Sequence, residues 1–350
     1  MNALNTKRAP RDLVYGLGKT GISIARFLEK QGRQAIYVDS RPSPPGLAEL
    51  VSIQPGAEMI CGGRSVGLPE NIQRVIVSPG ISDQDPLLDE ARAAGVDIVS
   101  DIDLFVVSAR APFVAVSGSN GKSTVTTLLA LMCEAAGRTV LAGANLGEPA
   151  LDLLAHEVPD LYVLELSSFQ LHRTHRLPAK VAVLLNISPD HLDWHRSETE
   201  YREAKYRILR EAEAVVINRL DAGSRERIVK GRSCRSFALN DARRDNYGTL
   251  QINGETWLAR GDEALLPVKK MKLVGLHNQE NALAALAAGE LLGLGMPAML
   301  SALQTFAGLP HRMQFVARFN DVTYINDSKA TNVAAAIASV TSIEGKIVLI

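Results

Sequence analysis

A glycine-rich segment between a buried strand and a helix constrains this chain more than any other feature. The apolar run Phe113–Ser117 leads into Gly118-Ser119-Asn120-Gly121-Lys122-Ser123-Thr124, and a helix is predicted over 123–136. Such a loop turns its backbone N–H groups inward around phosphate oxygens, and the N-terminus of the following helix adds positive potential. Lys122 is predicted to reach the β- and γ-phosphates of a nucleotide, and Ser123 or Thr124 to bind Mg²⁺.

This loop is a compressed variant of the strict phosphate-loop pattern, because Val116 stands where that pattern has its first glycine. The alternative interpretation is a plain glycine turn that exposes a solvated lysine. The strand before the loop, the helix after it and the register of the Lys-Ser-Thr triplet favour phosphate binding.

A second glycine loop, Gly16-Leu17-Gly18-Lys19-Thr20-Gly21, follows the apolar run 13–15 and precedes a strand over 35–39. This βαβ arrangement fits the dinucleotide fingerprint, and Asp39 ends the second strand where a ribose would be held. Three interpretations stay open: the loop binds a nicotinamide cofactor, binds the diphosphate of a nucleotide-linked substrate, or only packs a helix tightly. Thr20 and Arg41 beside the loop favour a phosphorylated ligand.

The alternation of short apolar strands with helices predicts an α/β protein with parallel sheets. Boundaries are expected near residues 100 and 309, which gives three segments. In the last segment we predict a strand over 322–327, a helix over 332–340 and a buried strand over 346–350. Because 42 residues are near the limit of about 40 for independent folding, a truncated C-terminal domain is expected.

The middle segment contains two regions of unusual composition. The span 231–275 is dotted with Gly and Asn between short alternating runs, which predicts a small antiparallel excursion. The span 279–305 is rich in Ala and Leu, and Glu290, its glycines and Pro297 favour two packed helices over a membrane hairpin.

Charge and cysteine usage exclude several classes of protein. The 38 basic and 38 acidic residues give a net charge of zero, so no field attracts nucleic acid. The three cysteines lie far apart without a CxxC pair, which is typical of a reducing cytosol. Residues 1–12 lack the apolar core of a signal peptide, and no run of about 18 apolar residues predicts a membrane span. The sequence therefore predicts a cytoplasmic protein without nucleic-acid or membrane partners.

A magnesium–nucleotide site needs hard oxygen ligands. Glu165 follows the apolar run 161–164 and His191 follows a strand over 181–185, so both are predicted beside the phosphate loop at one sheet edge. The alternatives are that Glu165 caps a helix and that His191 and His195 bind zinc, although this pair lacks a third ligand.

Further polar residues lie towards the C-terminus. Asn278 and Asn281 begin a helix on one face, where they either read an adenine edge or cap the helix. The cluster 326–332 mixes an acid, a lysine and hydroxyls after a strand, which favours ribose and phosphate contacts over an N-capped helix start.

Lys205 lies in a predicted helix in the middle segment. The residue pattern alone indicates an ordinary lysine on the surface of that helix.

Seven short motifs occur here in the order seen in the Mur ligase family, which the chain resembles from about residue 12 to residue 350. They are GSNGKST, ELSSFQL, DHLDWH, YxxAK at 201–205, HNxxN, LPHR and NDSKATN. The N-terminal GLGxTGxS, VDSRxxPPG and SPGI strings resemble the members that add D-glutamate. The DSKATN string distinguishes these members from their siblings and from folylpolyglutamate synthases.

The resemblance implies three α/β domains: a Rossmann-like domain for a UDP-sugar over 1–100, a P-loop-type ATP-binding domain over 101–308, and the start of a C-terminal Rossmann-like domain over 309–350. It implies a monomeric, ATP-dependent amide ligase that adds D-glutamate to UDP-N-acetylmuramoyl-L-alanine through an acyl phosphate, in peptidoglycan precursor synthesis. Because the family's amino-acid pocket would lie mostly beyond residue 350, a polypeptide that ends at that residue is expected to bind the UDP-substrate without completing ligation.

The resemblance also implies roles for individual residues. The UDP-substrate would be held by Gly18, Lys19, Thr20, Asp39, Ser40, Arg41, Gly80 and Asn145. ATP would be held by the loop residues Gly118, Ser119, Asn120, Gly121, Lys122, Ser123 and Thr124, and by Asn278, Asn281, Arg312, Asp327, Lys329 and Thr331. Mg²⁺ would be bound by Ser123, Glu165, His191 and a carbamylated Lys205, and the catalytic set would be Lys122, Glu165, His191 and Lys205.

Two other functions stay open on the sequence alone. A dehydrogenase would use the Gly16–Gly21 loop for a nicotinamide cofactor, but it leaves the GSNGKST loop without a purpose. A non-enzymatic module would bind ATP and the UDP-sugar and turn over neither.

Overall fold

A computed structural model describes residues 11–63, 67–239, 244, 246–343 and 345–350. Residues 1–10, which carry most of the segment where no signal peptide is predicted, lie outside the described residues. Within those ranges none of the helices is both long and apolar enough to cross a membrane.

The strands of the described residues, in chain order, are β1 (Arg11–Tyr15), β2 (Ala35–Asp39), β3 (Glu58–Cys61), β4 (Ile72–Val77), β5 (Asp97–Ser100), β6 (Phe113–Ser117), β7 (Val140–Ala144), β8 (Leu161–Glu165), β9 (Val181–Leu184), β10 (Ala214–Asn218), β11 (Ser233–Phe237), β12 (Tyr247–Ile252), β13 (Glu255–Arg260), β14 (Glu263–Pro267), β15 (Gln314–Phe319) and β16 (Val322–Asn326).

The α-helices of the same residues are α1 (Lys19–Lys30), α2 (Leu47–Ile53), α3 (Pro86–Ala93), α4 (Asp101–Ser108), α5 (Lys122–Ala135), α6 (Ala150–Leu153), α7 (Ser168–Arg173), α8 (Glu198–Tyr206), α9 (Ala222–Glu226), α10 (Leu276–Leu291), α11 (Met296–Thr305) and α12 (Val333–Thr341). Short 3₁₀ turns cover Arg207–Leu209 and Val268–Lys270. The chain is therefore a mixed α/β protein, as predicted.

The chain divides into two compact units. The first comprises Met1–Arg110, Gly143–Val158 and Phe169–Leu177, and the second comprises Ala111–Ala142, Pro159–Ser168 and Pro178–Ile350.

The first unit is built on a five-stranded parallel sheet in the order β3-β2-β1-β4-β5. This is the Rossmann-like order, in which the chain reverses its direction of winding beside β1. Helix α1 buries Ile24 and Leu28, one turn apart, because its apolar residues recur at helical spacing. The predicted βαβ unit at the N-terminus is confirmed.

The second unit contains a nine-stranded sheet in the order β14-β13-β12-β11-β10-β9-β6-β8-β7. Strands β8, β6, β9, β10 and β11 run parallel, whereas β12, β13 and β14 form an antiparallel meander that extends the same sheet. The predicted antiparallel excursion is confirmed for β12–β14, but β11 belongs to the parallel part. Helices α10 and α11 confirm the two packed helices, and α10 buries its alanine-rich centre in the core.

The last segment of the second unit forms an antiparallel hairpin of β15 and β16, followed by α12. The strand predicted over 346–350 is wrong: this run is irregular, and Val348 is 85% exposed. A strand needs a hydrogen-bonding partner as well as apolar residues, and none of the described strands pairs with this run.

Candidate functional site

Sheet topology places the GSNGKST loop at a natural binding position. Strand β6 lies between β8 and β9, with Val116 opposite Glu165 and Ser117 opposite Leu184. The carboxyl ends of these parallel strands therefore meet at one edge, which is where ligands bind in open α/β sheets. Glu165 is the last residue of β8 and is buried, as its predicted position beside the loop requires.

Gly121 joins the loop to a residue far along the chain. Its φ is +83°, a left-handed conformation that favours glycine. A Cβ at this position would lie 2.2 Å from Oδ1 of Asn281 on α10. The glycine is therefore needed both for the turn into α5 and for the close approach of Asn281.

The loop is held from outside by residues that follow β9 and by α8. The Ser119 backbone N–H donates to the Asn186 carbonyl at 2.8 Å, and the Asn120 N–H donates to Asn186 Oδ1 at 2.8 Å. The Ser119 hydroxyl lies 2.6 Å from the Tyr201 hydroxyl and 2.9 Å from the Ser188 backbone N–H. Sequence reasoning missed these supports. The rule that selected Glu165, a polar residue at the end of a parallel strand, also selects Asn186.

Two lysine side chains meet at one backbone carbonyl. Lys122 Nζ donates to the Gly118 carbonyl at 2.9 Å and to the Ser119 carbonyl at 2.8 Å. Lys205 Nζ donates to the same Gly118 carbonyl at 2.8 Å, and it lies 4.8 Å from the centroid of the Tyr201 ring. The two amines therefore meet at the phosphate loop, and they repel each other when both are protonated.

The default interpretation of Lys205 as a surface lysine is wrong, because its residue is only 2% exposed. Helix α8 buries Tyr201, Ala204 and Lys205, at helical spacing on one face. This periodicity is the signal that pattern reasoning could have used, although a lysine in an apolar stripe is normally assigned to solvent.

Burial shifts the pKa values of both lysines. It lowers the pKa of Lys205 well below 10.5, and the charge of Lys122 lowers it further, while Asp190 and Glu165 oppose the shift. Burial also lowers the pKa of Lys122, and Glu165 acts against it. Each amine is thus easier to deprotonate than an exposed lysine.

The predicted metal ligands are only partly assembled. Glu165 is buried near the lysines, whereas the His191 side chain is 49% exposed and its backbone has a φ of +52°. Among the residues that the structure describes, no three His, Cys, Asp or Glu side chains come together as a metal site. His195 is buried, with Nε2 3.0 Å from the Ser168 hydroxyl.

A pocket beside the loop collects most of the residues predicted to bind ATP. Its lining includes Asn120, Gly121, Thr124, Asn278, Asn281, Arg312, Asp327 and Lys329. The remaining loop residues Gly118, Ser119, Lys122 and Ser123 lie outside this lining, as does the exposed Thr331. Leu273, His277, Glu280 and Met313 also line the pocket and were not predicted.

The two asparagines of α10 contact each other. Asn281 Nδ2 donates to Asn278 Oδ1 at 3.2 Å, and Asn278 Nδ2 donates to the Val274 carbonyl at 2.7 Å. The predicted shared face is confirmed, and part of the hydrogen-bonding capacity of this pair is used within the protein.

The last segment, 309–350, contacts the loop through two side chains, Arg312 and Asn332. Arg312 donates to the Ser123 hydroxyl at 3.1 Å. Asn332 caps α12 and donates to Asn120 Oδ1 at 3.2 Å and to Asp190 Oδ2 at 2.9 Å. Asp327 accepts from the Met313 backbone N–H at 3.0 Å. The cluster 326–332 therefore includes an N-capped helix start and also contacts the phosphate loop.

The glycine loop of the first unit follows β1 at the reversal point of its sheet. A Cβ on Gly16 would lie 2.9 Å from Ser78 Cβ, and one on Gly21 would lie 1.9 Å from the Gly16 carbonyl oxygen. A Cβ on Gly18 would contact nothing within 4 Å. Two glycines thus permit tight packing, and the middle one leaves space for a ligand to approach the backbone.

Around this loop, Asp39 is buried and its carboxylate accepts from the Leu17 N–H at 2.7 Å and from Arg41 Nε at 2.8 Å. Burial opposes ionisation of Asp39, but these hydrogen bonds outweigh it and lower the pKa. The other predicted residues of this unit lie on its surface or half-buried: Gly18, Lys19, Thr20, Ser40, Gly80 and Asn145.

Comparisons with known proteins give matches over both units. The family model described as "Mur ligase MurD-like, N-terminal domain" matches residues 10–100, and "Mur ligase middle domain" matches residues 116–289. The UDP-N-acetylmuramoylalanine--D-glutamate ligase of Nitrosococcus oceani is 48% identical over 99% of this chain and 77% of that protein. The ligase of the same name from Pseudomonas fluorescens Pf-5 is 49% identical over 97% of this chain and 76% of its own length.

Solved structures share the fold at lower identity. The UDP-N-acetylmuramate-alanine ligase of Thermotoga maritima superposes with a TM-score of 0.59 at 21% identity, over 95% of this chain and 77% of that chain. The UDP-N-acetylmuramate:L-alanyl-gamma-D-glutamyl-meso-diaminopimelate ligase of Neisseria meningitides gives a TM-score of 0.57 at 18% identity, over 86% of this chain and 99% of that chain.

Proposed function

Because this chain belongs to the Mur ligase family, we propose that it is the ATP-dependent ligase that joins D-glutamate to UDP-N-acetylmuramoyl-L-alanine in peptidoglycan precursor synthesis. The observation that carries the proposal is the half-buried Lys122 cation at the Gly118 carbonyl, in a loop that follows β6 between its parallel neighbours β8 and β9, with the buried Lys205 of α8 donating to the same carbonyl. Positive charge of this kind suits the transfer of a phosphoryl group.

The chemistry explains why ATP is needed. A carboxylate is a poor electrophile at neutral pH, so the alanyl carboxylate of the UDP-sugar first attacks the γ-phosphorus of ATP. The bond between the γ-phosphorus and the β,γ-bridging oxygen breaks, ADP leaves, and an acyl phosphate remains. Lys122 would neutralise negative charge on the transferred group, and the backbone N–H groups of the loop would hold the phosphates.

The second step forms the amide. The neutral amine of D-glutamate attacks the carbonyl carbon of the acyl phosphate and gives a tetrahedral intermediate. The intermediate expels phosphate, which carries away one oxygen of the original carboxylate, and the amine loses a proton. The protein contributes mainly by positioning the reactants.

Lys205 would act as a carbamate. A neutral amine can add to CO₂ and lose a proton, which converts a cation into an anionic oxygen ligand. Burial and the neighbouring Lys122 lower the pKa of Lys205, and so favour the neutral amine that this reaction requires. An anionic Lys205 would also remove the repulsion between the two lysines.

The residues beside the loop fit Mg²⁺ by their chemistry. Ser123, Glu165, His191 and carbamylated Lys205 would hold it, with oxygen as the principal donor atom. Mg²⁺ takes few protein ligands and several phosphate oxygens and waters, so a site without three converging acidic or histidine side chains is compatible with it. When bound, the ion would reduce the negative charge of the triphosphate.

The remaining roles follow the same proposal. Asn278, Asn281, Arg312, Asp327, Lys329 and Thr331 would bind the nucleoside and phosphates of ATP. Gly18, Lys19, Thr20, Asp39, Ser40, Arg41, Gly80 and Asn145 would bind the UDP-substrate. The proposal includes domains at 1–100, 101–308 and 309–350 and a monomeric state. It also includes a cytoplasmic location, where these small-molecule substrates would be available.

The test is a reaction with three substrates, carried out on the full-length protein, which is also the form used for every measurement of turnover below. We expect ADP and phosphate to be released in equal amounts only when ATP, UDP-N-acetylmuramoyl-L-alanine and D-glutamate are all present, with a product heavier than the UDP-substrate by one glutamyl residue. ATP hydrolysis that is independent of the UDP-substrate would contradict the proposal. Titration with NADH, followed by fluorescence, tests the dehydrogenase alternative, and we expect no binding.

A further inference from the structure

His195 is a buried side chain that the mechanism above leaves unused. Only 1% of the residue is exposed, whereas the side chain of the nearby His191 is 49% exposed. A buried imidazole needs partners for its ring nitrogens, so the groups around it decide where it lies. Those groups belong to the stretches of chain that carry Glu165, His191 and Lys205.

On one side His195 holds the residues that follow Glu165 at the end of β8. Its Nε2 lies 3.0 Å from the hydroxyl of Ser168, which is itself buried. Leu166, which lies between Glu165 and Ser168, is held by β6, because its carbonyl accepts from the Ser117 hydroxyl at 2.7 Å. The run 166–168 is therefore fixed at two points, and His195 provides the second.

On the other side His195 packs against the helix that carries Lys205. The rings of His195 and Tyr201 are centred 5.4 Å apart at an angle of 73°, which is an edge-to-face contact. The same Tyr201 ring lies 4.8 Å from Lys205 Nζ, and the Tyr201 hydroxyl lies 2.6 Å from the Ser119 hydroxyl. A shift of the imidazole would therefore move the tyrosine that contacts both Lys205 and the phosphate loop.

The backbone of His195 closes the turn that begins at His191. The His195 N–H donates to the His191 carbonyl at 3.0 Å, and the Trp194 N–H donates to the same carbonyl at 3.1 Å. The rings of Trp194 and His195 also meet edge to face, with their centroids 4.6 Å apart. His195 thus connects the three stretches of chain that carry the proposed protein ligands Glu165, His191 and Lys205.

We propose that His195 is a positioning residue that holds Glu165 and Lys205 at the separation that Mg²⁺ requires. This inference rests on the proposed function, which assigns both residues to the ion. Mg²⁺ demands near-ideal octahedral geometry, so a small displacement of one ligand weakens its binding. Removal of a group that orients metal ligands from behind usually lowers metal affinity or activity by about 10- to 100-fold.

The experiment detects the carbamate of Lys205 in the full-length protein by ¹³C NMR in ¹³C-bicarbonate buffer. Mn²⁺ is added as a paramagnetic substitute for Mg²⁺ that prefers the same oxygen ligands. It broadens the carbamate signal when it binds beside it. The Mn²⁺ concentration at half-broadening therefore measures metal affinity without turnover.

Three variants are compared with the unmodified protein. His195→Phe keeps an aromatic ring against Tyr201 and loses the contact with Ser168. Ser168→Ala removes the same contact by deleting a single hydroxyl oxygen. His156→Phe is the matched control, because the His156 side chain is exposed and lies beside Glu148.

His195→Phe and Ser168→Ala are each expected to keep the carbamate signal, since Lys205 stays buried. Each should need at least about 10-fold more Mn²⁺ for half-broadening than the unmodified protein and the control. The double variant should need no more Mn²⁺ than either single variant, because both changes remove one contact. The Mg²⁺ concentration for half-maximal turnover should rise in parallel, while the KM for the UDP-substrate stays within about twofold.

Half-broadening of Ser168→Ala within about twofold of the unmodified value would overturn the inference and leave the proposed function standing, whether or not His195→Phe folds. An unmodified protein without a carbamate signal, or with a signal that Mn²⁺ does not broaden, would contradict the inference and the proposed metal site together. Release of ADP and phosphate in the three-substrate reaction would then still support the ligase activity itself.

Discussion

The two glycine loops of this protein share a backbone design and differ in their charges. Each follows a strand that lies between two parallel neighbours at the point where the strand order of its sheet reverses, and each leads into a helix. Beside the first loop the carboxylate of Asp39 is paired with Arg41 and the Leu17 N–H, and Lys19 is exposed. Beside the second, Lys122 and the buried Lys205 both donate to the Gly118 carbonyl.

This difference shows that the loop provides a place for phosphate, while side chains from distant parts of the chain decide whether chemistry follows. The first loop has its nearby charges balanced, which suits binding without reaction. The second loop holds the partly buried cation of Lys122, whose charge is costly to shield from water in the absence of an anion. It is therefore suited to stabilise a charged transition state.

The largest expected effect on activity comes from replacing one lysine of each loop by alanine, in two separate variants. Lys122→Ala should lower kcat at least about 100-fold, because charge on the transferred phosphoryl group is no longer neutralised. Its Kd for the UDP-substrate should stay within about twofold of the unmodified value. Lys19→Ala should show the opposite pattern, with weaker UDP-substrate binding and normal ATP binding. If either variant lost affinity for both ATP and the UDP-substrate, the two loops would not have the separate roles described here.

Lys205→Met should separate activity from stability. Turnover is expected to be lost, whereas Tm in CO₂-free buffer should rise, because a buried cation is replaced by an apolar side chain of similar length. The pKa of Lys205 is lowered in the folded state from its ordinary 10.5, so stability of the unmodified chain falls as pH decreases from that value. The advantage of the variant should thus grow below about pH 10.5 and level off below the folded pKa. A lower Tm at neutral pH would contradict this account.

Matched glycine substitutions in the two loops should differ in stability. Gly121→Ala should cost about 1–3 kcal/mol of unfolding free energy, because its φ is +83° and its Cβ would collide with Asn281. Gly18→Ala should cost less than about 1 kcal/mol, since it places a methyl group in open space. Urea denaturation of both variants measures the difference, and equal losses would show that the second loop is not the more constrained one.

Tyr201→Phe removes only the hydroxyl that contacts Ser119. The expected cost is about 1 kcal/mol of unfolding free energy, the usual contribution of one hydrogen bond. We also expect a lower kcat with an unchanged KM for the UDP-substrate, since the phosphate loop alone is affected. Thermal denaturation and initial rates check the two parts, and a changed KM for the UDP-substrate would argue against this role.

The smallest effect is expected at Asp39. Its pKa is lowered by Arg41 and Leu17 against the effect of burial, so its contribution to stability is present above its ordinary pKa of 3.8 and is lost as pH falls through the folded pKa. Asp39→Asn should cost about 1 kcal/mol or less at pH 7, because half-exposed Arg41 is screened by solvent. The two proteins should become equally stable in strong acid. A difference that persists there would show that the charge is not responsible.

Local patterns predicted most of the scaffold. Strands such as β2 and β6 are continuous apolar runs, and α1 has an apolar face at helical spacing, so their positions follow from the residues themselves. The run 346–350 has the same composition and is not a strand, because pairing depends on a partner elsewhere in the chain.

Fewer residues of the candidate site could be predicted from local sequence patterns. The phosphate loop and Glu165 follow from strand ends, whereas the burial of Lys205 and the contact between Gly121 and Asn281 depend on tertiary packing. Glu280 gave no signal at all, since a glutamate on a helix is normally solvated. The residues that distinguish the two loops are thus the ones that packing brings together.

The central claim is that the second loop transfers a phosphoryl group from ATP to a carboxylate. It is tested most directly with UDP-N-acetylmuramoyl-L-alanine labelled with ¹⁸O in its alanyl carboxylate, followed by mass spectrometry of the released phosphate. We expect one ¹⁸O atom in each phosphate, because the acyl phosphate keeps a carboxylate oxygen when the amine displaces it. Unlabelled phosphate, or label in AMP, would contradict the claim.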